Sequence, residues 1–180
     1  MKNPRASCPP RIALALVLLF VLPGCNDDSS PTEPPPPPTG PTITAASGAT
    51  VPLAGTWRSA CFTAPPGSPT LSVEETFVFF DSEIVITVAG FLTADCSGVT
   101  VSQELTVDYA LGAESSATLA GQRVGVTRVD GTERDSGEPF LQILHVDDSG
   151  AHRLYHGALD DPPTDAEGYP IELFEEFLER

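Results

Sequence analysis

Basic charge is what this chain most lacks. It has one lysine, Lys2, and eight arginines against 25 aspartates and glutamates, for a formal net charge of −16. A phosphate backbone or an anionic membrane face is held by a basic footprint, so the composition excludes nucleic acid and a charge-bound membrane as partners. Long apolar runs are also scarce. The longest, Ile12 to Leu22, falls short of the roughly 20 residues that span a bilayer as a helix. Catalytic signatures are missing: there is no Gly-x-Ser-x-Gly elbow, no phosphate-binding loop and no His-Glu-x-x-His pair. Carboxylates are plentiful, but nothing singles out two of them as a glycosidase pair. No catalytic residue, no cofactor and no enzymatic activity are therefore assigned. No internal repeat is evident, and none of the four cysteines forms a Cys-x-x-Cys motif.

What is present begins with a leader. Met1 to Arg11 carries Lys2, Arg5 and Arg11 and no acid, and the apolar run follows directly. A basic start before a short apolar core reads as a secretory signal. Leu22-Pro23-Gly24-Cys25 then resembles the lipobox of bacterial lipoproteins, with proline where alanine or serine is commoner. The resemblance implies removal of residues 1–24 as a signal peptide and a lipid on Cys25. It also implies a membrane partner reached through that lipid, and an extracytoplasmic domain at the bacterial cell envelope. Several acyl chains, at about 0.8 kcal/mol per buried CH₂, make a stable anchor where one does not. Beyond Cys25 the chain has six arginines against all 25 acids, formally −19, a balance that suits a cationic partner.

Residues 25–51 read as the lipidated cysteine and a disordered linker. Pro34 to Pro38 is a run of five prolines among Ser, Thr, Asp and Glu, a composition that favours extended polyproline II and buries no core. At 3.1 Å per residue, about 26 such residues reach on the order of 80 Å. The cysteine arithmetic follows. Cys8 leaves with the leader and Cys25 takes the lipid, so Cys61 and Cys96 remain in an oxidising compartment and are expected to form a disulfide. Closing that loop contributes about 3–4 kcal/mol in the chain-entropy model.

From residue 52 to 180 the pattern is short strands with frequent turn residues, the mark of an all-β barrel or sandwich. Gly55–Phe62 is the first strand. Val73–Phe80 and Glu83–Leu92 form a hairpin about Asp81-Ser82, which pairs Phe79 with Ile84 and Phe77 with Ile86. That register turns Phe77, Phe79, Ile84, Ile86 and Val88 to one face, and a one-residue slip would split the set. Val99–Tyr109 alternates apolar and polar residues cleanly. Leu111–Ser116 reads as a turn, Ala117–Val129 as one or two strands, and Asp130–Glu138 as a polar loop. Phe140–Val146 and Ala151–His156 form a second hairpin. Tyr169–Arg180 fits either a short helix, with Ile171, Phe174, Phe177 and Leu178 on one side, or an extended closing segment; the helix is the expectation. Six to eight strands of this length close into a small antiparallel barrel.

Leu53-Ala-Gly55-Thr56-Trp57 with Cys61, then Asp95-Cys96-Ser97, Asp108-Tyr109-Ala-Leu-Gly112 and Leu154-Tyr155-His156-Gly157, resemble the lipocalin-like domains of bacterial lipoproteins. The resemblance implies an antiparallel β-barrel with Trp57 at its closed end and an arginine over it, either Arg153 or Arg180. It also implies a non-catalytic role. The barrel interior, lined by Trp57, Phe77, Phe79, Ile86, Leu105 and Tyr109, would either be filled by these side chains or hold a small apolar ligand or lipid. The acidic surface and long tether suggest another role, binding a basic envelope protein such as a lytic hydrolase, or a structural envelope role. A symmetrical second hairpin would set His145 opposite His152 with His156 on the same face, an arrangement suited to Zn²⁺ or Cu²⁺. Exposed histidines are ordinary at hairpin tips, and no metal site is assigned.

Overall fold

The computed structural model describes residues 40–98, 100–158 and 162–180. The leader, the lipobox with Cys25 and the proline run lie outside the described residues, as do Val99 and positions 159–161. Everything described belongs to the unit 37–180, is all-β, and contains no helix among the described residues.

The described residues open with a small hairpin, β1 (Thr42–Thr44) and β2 (Thr50–Pro52), paired antiparallel with Ile43 opposite Val51. This corrects the linker boundary. Residues 42–51 are folded, because Ile43, Ala45 and Val51 have an apolar surface to cover and are buried in the main core. The other nine strands form one antiparallel sheet: β3 (Gly55–Ser59), β4 (Phe62–Thr63), β5 (Ser72–Phe79), β6 (Glu83–Phe91), β7 (Thr100–Leu119), β8 (Gln122–Glu133), β9 (Pro139–Asp147), β10 (Arg153–His156) and β11 (Leu178–Glu179). The order runs β3-β11-β10-β9-β8-β7-β6-β5-β4, and a further β3–β5 pairing brings it back to its start. The sheet therefore nearly closes into a ring, whose narrowest seam is the two-residue β11 between β10 and β3.

Alternation builds the ring. In β5, Val73, Glu75, Phe77 and Phe79 point inward and are buried while Glu74, Thr76 and Val78 are only half-covered. Phe77 pairs with Ile86 and Phe79 with Ile84, the register that the hydrophobic pattern demands. Trp57 lies opposite Phe77 across the β3–β5 seam. Beyond β6 the expected turn at Leu111–Ser116 is absent. β7 runs through it, with a register shift between Leu111 and Glu114, so a bulge absorbs the irregular Gly-Ala-Glu stretch while β8 satisfies its backbone. The reversal comes instead at Ala120-Gly121, both with positive φ, the two-residue turn that suits strand twist.

The C-terminal helix is likewise not formed. Residues 164–173 lie as an irregular extended strap on the outer face of the sheet, and the chain then returns past the mouth at Phe174 to β11. Thr118 N–H donates to Ile171 O, Leu173 N–H to Thr118 O and Phe174 N–H to His156 O. Tyr169 and Leu173 complete a second core with Ala117, Val126, Ile143 and Tyr155. A twelve-residue helix is marginal on its own, and the strap gains both hydrogen-bond partners and a second apolar surface. Arg128 fastens it, lying 4.2 Å from the Tyr169 ring centre and 2.6 Å from Asp165. Burial pushes the Asp165 carboxyl up, but the Tyr169 and Glu167 N–H groups and Arg128 outweigh it and leave the group below the usual carboxylate range.

Candidate functional site

The two ends of the ring are built differently. At one end the β1–β2 hairpin acts as a plug. Leu53, Trp57, Phe79, Tyr109 and Val146 pack with Ile43 and Val51. The Trp57 indole N–H donates to Leu53 O at 2.8 Å. Arg180 lies over the Trp57 ring, 4.5 Å from its centre, and donates to the carbonyls of Pro52 and Ala54. Of the two arginines open in the sequence, Arg180 is the one over Trp57; Arg153 lies over Phe177. Trp57, Phe77, Phe79 and Ile86 are at most 1% exposed, Tyr109 is buried, and Leu105 packs against them half-buried. At their level the ring is filled by side chains.

The other end is a mouth. A cavity of about 570 Å³ opens to solvent there, walled by Phe62, Val73, Val88 and Phe174 and rimmed by Pro65, Pro66, Pro69 and Thr70. Its floor carries Glu75, which the sequence reading passed over, and His156, which it grouped only with the other histidines. They come from strands far apart in sequence and meet at 2.9 Å, Oε2 to Nε2. The His156 ring sits 4.7 Å from that of Phe77 and 6.0 Å from that of Phe174. Its Nδ1 is 2.7 Å from Gly157 O, which also accepts from the buried Gln142 side chain. A carbonyl can only accept, so Nδ1 is the donor in that contact, and Nε2 is left facing Glu75 Oε2. Among the described residues, Glu75 Oε1 has no hydrogen-bond partner and is not sealed from solvent.

Local sequence explains the mouth. Gly90 lets the Pro65–Leu71 segment lie across β6, since a Cβ there would come within 2.7 Å of the Thr70 side chain. Gly157 is equally committed: a Cβ would meet Gln142 Oε1 at 2.3 Å. Cys61 and Cys96 are disulfide-bonded, with Cα atoms 5.7 Å apart. The bond ties the β3–β4 junction to the β6–β7 loop, bracing the rim. Leu71, Leu92 and Val101, at this end, leave large apolar surfaces in solvent.

Glu75 was legible in principle. Once Phe77 and Phe79 are placed inward, period-two alternation puts Glu75 on the same face. His156 was not, because the second hairpin has a longer loop than its turn residues suggest. Asp147 pairs with Arg153 and His145 with Tyr155, an odd shift from the symmetrical register. The shift corrects the histidine cluster: His156 points into the ring, while His145 points outward with Nδ1 2.7 Å from Gly125 O. Among the described residues no group of three or more His, Cys, Asp or Glu is placed to hold a metal ion.

The class defined so far is an all-β protein with a large, nearly ring-closed antiparallel sheet, one plugged end and one open end. Compared with protein-family models, with curated proteins and with solved structures, the chain matches none.

Proposed function

We propose that the chain is an envelope-anchored bacterial lipoprotein whose lipocalin-like ring binds a small, largely apolar ligand without chemical turnover. The observation that carries the reading is the mouth cavity of about 570 Å³, mainly apolar in its walls and continuous with solvent. A volume of that size suits one small molecule. The lipid on Cys25 rests on the lipobox resemblance, and the disulfide accords with an extracytoplasmic setting. Ligand would be held in the mouth rather than between Trp57 and Phe79, where packing is complete. Native mass spectrometry of the protein taken from its own membranes tests both halves. A diacylglyceryl adduct on residue 25 and a co-purified small molecule are expected. An unmodified Cys25 overturns the anchor, and failure of every apolar probe to bind overturns the ligand site.

The acidic surplus supports a second reading, a module that captures a basic envelope protein such as a lytic hydrolase. Binding that weakens steeply with salt would favour it.

A further inference from the structure

We infer that the mouth selects, among apolar molecules, those ending in a hydrogen-bond donor such as a hydroxyl or an amine, and disfavours those ending in a carboxylate. This rests on the proposed ligand site and assigns the chemistry of its floor. Glu75 is 8% exposed and stands at the base of a mainly apolar cavity, as its one carboxylate. Its Oε2 is engaged by His156, and His156 is locked in turn by Gly157 O. The ring cannot rotate to offer a donor to a ligand without giving up one of these bonds. What the pair presents to the cavity is therefore an acceptor, Glu75 Oε1.

Neither nitrogen of His156 is free to donate to an anion, and the described residues that line the cavity include no arginine or lysine. An incoming carboxylate would meet a facing acceptor in a chain already strongly acidic. A hydroxyl or ammonium instead completes the carboxylate's hydrogen bonding while its apolar body covers Val73, Val88, Phe62 and Phe174. Gln103, exposed at the wall, can serve either kind of head group and so does not set the preference. The effect is selection by leaving the wrong partner unpaired.

A matched series tests this: 4-phenylbutan-1-ol, 4-phenylbutylamine and 4-phenylbutanoate, titrated calorimetrically into the full chain held in lipid nanodiscs, with empty nanodiscs as blank. The alcohol and the amine are expected to bind at least about tenfold more tightly than the carboxylate. Glu75→Leu should erase that gap while leaving the alcohol bound. Because this change strands His156, the Glu75→Leu/His156→Leu pair, which removes both polar groups, serves as the folded control and should show the same loss of discrimination. Equal or tighter binding of the carboxylate to the unmodified protein overturns the donor preference and leaves the apolar site standing. A gap that survives in both variants overturns the role of Glu75. No binding by any of the three overturns the preference and the ligand site together.

Discussion

The two ends of the ring use the same alternating strands for opposite purposes. At the plugged end Trp57, Phe79, Tyr109 and Val146 are large inward side chains, the hairpin and the residue after it supply Ile43, Val51 and Leu53 to fill what the ring leaves, and Arg180 lies on the face of Trp57. At the mouth the inward positions include Glu75 and His156 at the base of a cavity open to solvent, and a disulfide braces the rim. A filled end gives stability and leaves no room for a guest. An open end gives up burial, and its buried polar pair must be satisfied by its own geometry. The comparison teaches that in a ring too small to hold both a core and a ligand at one level, the two are separated along its axis.

The sharpest way to break this comparison is at the plug. Trp57→Ala should cost about 3–5 kcal/mol, as large aromatic truncations in a sealed core do, and urea denaturation would show it as a lowered midpoint. A small effect would mean that the plugged end is not the stability centre. Next, Cys61→Ser with Cys96→Ser should cost about 3–4 kcal/mol by chain entropy. It should also weaken alcohol binding beyond the fraction unfolded, because the rim loses its brace; unchanged affinity of the folded fraction would separate the disulfide from the mouth.

At the floor of the mouth, Glu75→Leu should cost about 1–3 kcal/mol by stranding His156, and the Glu75→Leu/His156→Leu pair less than the single change. A double-mutant cycle measures this coupling. Arg180→Ala should cost about 1 kcal/mol, through the lost stacking on Trp57, with ligand binding untouched. The smallest effect near neutral pH concerns Tyr109. Burial, aided by the nearby negative charge of Asp81, pushes its phenol up to about 12. The folded value lies above the ordinary 10, so stability should be unaffected below pH 10 and fall as pH rises from there to about 12. Absorbance titration of the phenolate, followed alongside unfolding, checks that window.

Much of this was readable along the chain where a single strand or a tight hairpin decides the outcome. The β5–β6 register follows from Phe77, Phe79, Ile84 and Ile86, because only one alignment buries all four. The Cys61–Cys96 bond follows from counting the thiols that remain. Reading failed where a distant surface competes with local preference. Tyr169–Arg180 has a helical stripe, yet lies extended because β7 and β10 offer it hydrogen bonds and a second core. Leu111–Ser116 looks like a turn but is held as strand by β8. The linker's last residues fold because the plugged end needs them.

By itself, then, the order of residues determined the β character of the chain, the inward face of each regular strand and the pairing of its two remaining cysteines, since each depends on short-range periodicity or on simple counting. Only the tertiary structure decided which end is sealed, that His156 points inward and His145 outward, and that a glutamate and a histidine 81 positions apart meet at the base of a cavity. Those outcomes depend on loop lengths and ring closure, where a single odd step in register turns a side chain from solvent to interior.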